Sequence, residues 1–193
     1  MTAQVFDTVD DHGTELTLVR ARGTGLFHPK DHALPVAMAS TASWRGYVCH
    51  YAIVHGHLTL ATLEANVARV DDDDLIVPVA PPDLAGVPGQ PGNPPFSTIY
   101  RSLAMPVAFT GQLIVGNGAI EALVGSLPLP EPWHFRVARL LAFERGALVA
   151  ERDVSTDMAA LRDALAAGGA KAPRIEADDL RWLQNSLPGA SPD

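Results

Sequence analysis

Apolar and polar residues alternate with period two along much of the chain, the pattern of strands with one buried face. In Glu15–Arg22, Leu16, Leu18 and Arg20 alternate with Thr17 and Val19, which predicts an early strand. Trp44–Val54 and Leu58–Ala65 read as a hairpin closed by His55-Gly56-His57. A three-residue loop there pairs Val54 with Leu58, and a two-residue loop pairs Val54 with His57. The choice matters because a one-residue slip sends every side chain of the second strand to the opposite face. Phe109 to Val124 reads as a second hairpin turning at Asn117-Gly118, since a type I′ turn needs positive φ at both central residues. Val115 then faces Ile120, Leu113 faces Ala122 and Gly111 faces Val124 on one apolar face, with Gln112 and Glu121 on the other. A third hairpin spans His134 to Asp153 and turns at Arg145-Gly146. Phe135, Val137, Leu141 and Phe143 share its inner face, Arg139 interrupts it, and Leu148 lies opposite Phe143.

Between these hairpins, Pro78 to Pro95 holds seven prolines and three glycines and must be a loop, because proline cannot donate to a ladder. It reads either as a lid or binding loop, or as a passive insertion. Helical spacing occurs only near the end. Ser155-Thr156-Asp157 offers an N-cap with an acidic first turn, Met158, Leu161 and Leu165 form a stripe, and Gly168-Gly169 stops it. Leu180, Leu183 and Leu187 mark a second helix over Ala177 to Leu187. Strands followed by helices, without βαβ alternation, predict an α+β protein. The expected core is mainly antiparallel, barrel- or sandwich-like and built of hairpins, with six or more strands and two short C-terminal helices over 155–187. At 193 residues the chain is expected to form a single domain, 1–193.

Composition narrows the function classes. Hydrophobic residues at 47% and charged residues at 19% exclude a disordered body, and no apolar run reaches the length of a membrane-spanning helix. A net charge of −8 argues against broad phosphate neutralisation, so no nucleic-acid partner and no membrane are expected. Met1 to Asp7 carries no basic start and no apolar stretch, which predicts a cytoplasmic location. The single cysteine, Cys49, allows no internal disulfide and no thiolate zinc cluster.

Candidate chemistry is sparse. Cys49 and His50 are adjacent on a strand, point to opposite faces and cannot form a dyad, which leaves Cys49 as a small apolar filler. His55 and His57 flank a turn, and His28 and His32 occupy a loop with Pro29, so neither pair has the convergence a metal site needs. No metal and no cofactor are expected. In the three-residue register His50 faces Thr62 with Glu64 diagonal to it, a His–carboxylate pair suited to general-base chemistry and the only catalytic candidate. Asp71-Asp72-Asp73-Asp74 lacks the alternating ligands of a calcium loop and reads as a solvated connection. The chain has no phosphate loop, no Gly-x-Ser-x-Gly elbow and no His-Glu-x-x-His. Trp44, Arg45 and Tyr47 are the most distinctive cluster. An arginine there can stack on an aromatic ring while its fork holds a carboxylate. The cluster either staples the sheet or forms a recognition patch for a partner or an anionic small ligand.

Trp44-Arg45-Gly46-Tyr47-Val48, the hairpin reaching Leu58-Thr59-Leu60, and Phe109-Thr110-Gly111-Gln112-Leu113-Ile114-Val115 resemble a group of small bacterial proteins of uncharacterised function. Those carry a Trp-Arg-Gly-Tyr strand, a hairpin ending in an apolar strand and a later Phe-Ser/Thr-Gly-x-Leu strand. Phe143 to Leu148 resembles their late Phe-x-x-Gly-x-Leu turn. Cys49-His50-Tyr51 stands where that group usually shows a small residue, a tryptophan and an acidic residue. The resemblance covers half of the chain, implies a β architecture and assigns no catalytic residue.

The sequence therefore predicts a non-enzymatic interaction or binding module, with a basic protein as one possible partner because complementary charge steers association. The alternative is a small metal- or histidine-assisted hydrolase using His50 and Glu64. Phe96 to Val107 carries one charge, Arg101, among many apolar groups, and from it a homodimer with contacts from Ile99, Tyr100 and Leu103 is expected.

Overall fold

A computed structural model describes residues 5–41, 43–124 and 130–167. Its strands are β1 (Thr8–Asp11), β2 (Thr14–Thr24), β3 (Tyr47–Val54), β4 (His57–Ala65), β5 (Ala68–Val70), β6 (Ile76–Pro78), β7 (Gln90–Pro91), β8 (Thr98–Tyr100), β9 (Met105–Pro106), β10 (Thr110–Ala119), β11 (Phe135–Glu144) and β12 (Ala147–Asp153). Two α-helices, α1 (Glu121–Val124) and α2 (Ser155–Ala166), join them. The β-rich α+β class expected from the sequence is what the chain adopts.

The main sheet runs in the order β12-β11-β10-β2-β1-β3-β4-β8-β7. β4 also pairs with β12 through His57 and Ala147, so the strands from β12 to β4 form a closed ring. Closure removes the open edges that a flat sheet would expose. All named pairings are antiparallel except β1 with β3, which run parallel over Thr8–Asp10 and His50–Ala52. The sheet is therefore mixed at that one place.

Three turns of the same kind build the ring. His12-Gly13, His55-Gly56 and Arg145-Gly146 have φ of 52° and 80°, 50° and 76°, and 47° and 86°. Positive φ at both residues is the type I′ geometry, whose twist matches that of the flanking strands. The His55-Gly56 and Arg145-Gly146 turns also meet: Leu58 N–H donates to Gly146 O at 2.8 Å, and Leu148 N–H donates to Gly56 O at 2.8 Å. Those bonds make the closure between β4 and β12.

Asn117-Gly118, by contrast, is no turn. β10 runs straight through it, paired to β11 with Asn117 opposite Val137 and Ala119 opposite Phe135. The glycine at 116 serves clearance instead, since a Cβ there would lie 2.6 Å from the Phe135 ring. Val115 is accordingly partnered by Leu18 and Arg139, not by Ile120. The Arg145-Gly146 hairpin forms as expected, with Phe143 opposite Leu148.

The barrel interior is filled by Val9, Leu16, Tyr51, Leu58, Leu60, Leu63, Tyr100, Phe109, Leu113 and Leu141, each at most 2% exposed. Ile99, Tyr100 and Leu103, at 5%, 0% and 6% exposure, are interior too. The segment expected to form a dimer contact instead fills the core of one chain, because β8 and β9 fold onto β4. The proline-rich loop is fastened over it: Leu84 is buried, Val79 and Val87 pack on the core, and the Tyr100 hydroxyl donates to Pro82 O at 2.9 Å. Arg139 interrupts its strand because it pairs with buried Asp11 at 2.7 Å and also with Glu151.

The outer face of β10 and β11 has a separate small core of Ile114, Trp133, Ala138, Leu140, Val154 and Met158, against which Leu161 and Leu165 of α2 pack. α2 begins one step earlier than its N-cap signal suggested. Val154 takes the cap position, and Asp153 Oδ1 accepts from Ser155 N–H at 2.8 Å. Hydrogen bonding to Ser155 holds the Asp153 carboxyl below its usual range. The expected stop at Gly168-Gly169 and the second helix over Ala177 to Leu187 lie outside the described residues. α1 is a single turn that the period-two reading of its segment did not anticipate.

Two outcomes follow from this packing. Tyr100→Ala should cost about 3–5 kcal/mol in urea unfolding, as for other large buried aromatics, whereas a surface position would shift by less than about 0.5 kcal/mol. The His134 imidazole Nδ1 accepts from Glu131 N–H at 3.0 Å, and burial, then Arg162 and Arg20, holds its pKa below the ordinary 6.5. In the window just below that value the unfolded chain binds more protons than the folded one, so stability falls on acidification. Unfolding free energies from about pH 7.5 down to about pH 5.5 should therefore drop more steeply for the parent chain than for His134→Gln. Equal slopes would remove His134 from the balance.

Candidate functional site

β1 is short, and the ring opens where it begins. Pairing with β2 reaches back one step, with Leu18 N–H donating to Asp7 O at 2.8 Å. Before that point the chain at Val5 and Phe6 leaves the ladder while β2 continues to Thr24. The gap between these residues, Leu18–Ala21 of β2, Leu26 and Ser43–Tyr47 is a cavity of about 490 Å3. Pockets of about 300–1,000 Å3 with mainly apolar walls and a few placed polar groups are the usual size for small-molecule sites.

Asp7 organises the cleft. Its Oδ1 accepts from Cys49 N–H at 2.8 Å and from Arg45 Nη2 at 2.6 Å. Arg45 Nη2 also reaches the Tyr47 carbonyl at 3.3 Å, and the guanidinium carbon lies 4.5 Å over the Tyr47 ring centroid. The structure thus brings Arg45 and Tyr47 into the stacked, carboxylate-bound arrangement that their residue types suggest. Burial disfavours the charge of Arg45, but the Asp7 carboxylate outweighs it and raises the pKa, so the guanidinium stays protonated. Burial also pushes the Tyr47 phenol up, against the pull of Arg45. Trp44 shares the cleft and is 69% exposed, the most exposed large apolar side chain among the described residues.

The backbone holds this cluster in place through Gly46. Its φ is 74°, and a Cβ would collide with the Ala37 carbonyl. Gly46 N–H donates to Ser43 O at 3.1 Å and its carbonyl accepts from Asn66 N–H at 2.8 Å. Asn66 Nδ2 in turn donates to Met38 O at 3.1 Å, tying the loop before β3 to the end of β4.

The second candidate pair also comes together, by an unexpected route. The His55-Gly56 turn pairs Val54 with His57, the two-residue register. A bulge between His50 and Tyr51 then shifts the ladder so that His50 faces Thr62, the register of the longer loop. Both registers coexist in one hairpin. His50 Nε2 is consequently 3.9 Å from Glu64 Oε1, and His50 Nδ1 is 2.9 Å from the Thr8 hydroxyl. These three partly exposed side chains stand on the face opposite buried Cys49 and Tyr51.

The remaining candidates take structural places. Burial, aided by Asp7, pushes the Cys49 thiol far up, which removes its thiolate. His28 Nδ1 accepts from Lys30 N–H at 3.2 Å, capping a short 3-10 helix, and His32 stacks on Phe27 at 4.9 Å. His55 and His57 are exposed at their turn. Asp71 Oδ1 accepts from the N–H groups of Asp73 and Leu75 at 3.0 and 2.9 Å, so the acidic run is a turn. Among the described residues no three histidine, cysteine or carboxylate groups gather where they could hold a metal ion. Among them, too, no helix is long and apolar enough to cross a membrane.

Sequence reading missed Asp7, Phe6 and Leu26. The one signal was an aspartate breaking an apolar pair just before the alternating Thr8-Val9. The chain matches no protein-family model, no curated protein and no solved structure.

The Asp7–Arg45 pair is half-wet, with 50% of the Arg45 side chain exposed against 9% of Asp7. Arg45→Met should therefore cost about 1–3 kcal/mol, less than a fully buried pair would, by stranding the Asp7 carboxylate. A urea-unfolding cycle with Asp7→Asn checks this: the double variant should be less destabilised than the sum of the single ones by more than about 0.5 kcal/mol. Simple additivity would mean that the pair contributes nothing.

Proposed function

We propose that the protein is a non-enzymatic binding module whose recognition site is the cleft formed by Trp44, Arg45 and Tyr47 with Phe6 and β2. The observation that carries this reading is a cavity of about 490 Å3 with an exposed Trp44 beside it. An indole left in water has no folding rationale, whereas tryptophan and arginine dominate binding energies at recognition sites. The hydrolase reading with His50 and Glu64 has less support. A separation of 3.9 Å exceeds hydrogen-bond reach, and both residues lie within paired strands, where backbone N–H groups serve the ladder and leave little for an oxyanion.

A basic protein partner is the second reading, favoured by the net charge of −8 and by exposed Val70, Leu75 and Ile76 around the acidic turn. The cleft is the better site because it is concave and offers a ligand specific polar contacts.

The neutral fluorescent probe N-phenyl-1-naphthylamine tests the cleft directly. It should bind saturably to the parent chain, and Trp44→Ala should weaken binding by about tenfold. No saturable binding, or the same affinity in Trp44→Ala, would overturn the reading.

A further inference from the structure

Resting on that reading of the cleft, we propose that its ligand is a small molecule with an apolar body and a single carboxylate, and that Arg45 is the partner of that carboxylate. Among the described residues the walls hold two cations, Arg20 and Arg45, and one carboxylate, Asp7. Arg20 is already held from outside the cleft by Glu131, through Nη2 at 2.6 Å. Arg45 is the available cation. Its bonds to Asp7 and to the Tyr47 carbonyl are both made by Nη2, and half of its side-chain surface remains in water. A guanidinium presents five donors in a planar fork, so one engaged nitrogen still leaves an edge that matches a carboxylate.

The same arrangement rejects other classes. An amine would need the Asp7 carboxylate, but that group is 8% exposed and its Oδ1 already accepts from both Cys49 N–H and Arg45. A doubly charged phosphate would face Asp7 behind Arg45 and a chain of net charge −8, and polyanions would meet the same field. A polar sugar body would leave its hydroxyls against Phe6, Leu18, Leu26 and Trp44. One negative charge on an apolar body satisfies every wall.

Competition against N-phenyl-1-naphthylamine tests this with decanoate, methyl decanoate, decylamine and decyl phosphate. Decanoate should displace the probe about tenfold better than the other three. Arg45→Gln should bring decanoate and methyl decanoate to within about threefold of each other, a ratio read against that variant's own probe affinity. Arg20→Gln should keep the preference. Equal affinities for the acid and its ester, a preference that survives Arg45→Gln, or decyl phosphate matching decanoate would overturn the proposal while leaving the cleft as a binding site. Failure of the neutral probe itself would remove both.

Discussion

A carboxylate standing in for a backbone carbonyl is the hinge of this fold. β1 is the four-residue strand that joins the antiparallel β2 side of the ring to the parallel β3 side. Where it begins, the next acceptor for Cys49 N–H is the Asp7 side chain, at 2.8 Å. That substitution lets the chain turn away from β3 without stranding a buried N–H, which would otherwise carry a desolvation cost of about 1–3 kcal/mol. The departure of the chain is what opens the cleft. Asp7, being buried and charged, then needs a cation, and Arg45 arrives from the strand edge to supply it. Stability and site geometry are set by one residue.

The outline of this architecture was legible because its signals are local. Glycine after a residue that tolerates positive φ marked the turns at 55–56 and 145–146, and the periodicity of Leu16, Leu18, Phe143 and Leu148 marked faces. The errors share a cause: a local signal outvoted by a distant neighbour. Asn117-Gly118 has the strongest turn chemistry in the chain, yet Phe135 needs the space above Gly116, and β2 and β11 flank β10 on either side. The hairpin at His55-Gly56 posed a choice between two registers, and the bulge admitted both. Nothing in the sequence near Ala61 announces that bulge. Its carbonyl is taken by Leu103 N–H at 2.9 Å, a partner 42 positions away.

The same reasoning explains the segment after the proline-rich loop. A run of apolar residues with one charge is either a surface for a partner or a filler for the interior, and composition cannot separate these. Three hairpins and two helices stacked in layers would leave little interior for such a run. A closed ring, however, encloses more volume than a two-layer stack of hairpins, and its mouth needs a plug. Tyr100, Leu103, Val107 and Phe109 supply it, with Leu84 from the loop above. Of the candidate site, Trp44, Arg45 and Tyr47 were visible as residue types. The Asp7 half was not, because the pairing joins positions 38 apart in sequence.

Arg45 therefore has two claims on it. Its bond to Asp7 neutralises a buried charge, and its half-exposed side chain lines a cavity with apolar walls. These demands do not conflict, since a guanidinium can hold one carboxylate through one nitrogen and face another through the rest. A lysine would do both less well, since a compact ammonium has no planar fork to present to a second carboxylate and would sit less well over the Tyr47 ring. The stacking on Tyr47 adds a further constraint by fixing the plane of the fork. A cation oriented in advance loses little freedom when it meets a ligand, and preorganisation of that kind is where binding sites gain affinity. The pair that closes the ladder at β1 is thus also the element that would give the proposed binding cleft its selectivity.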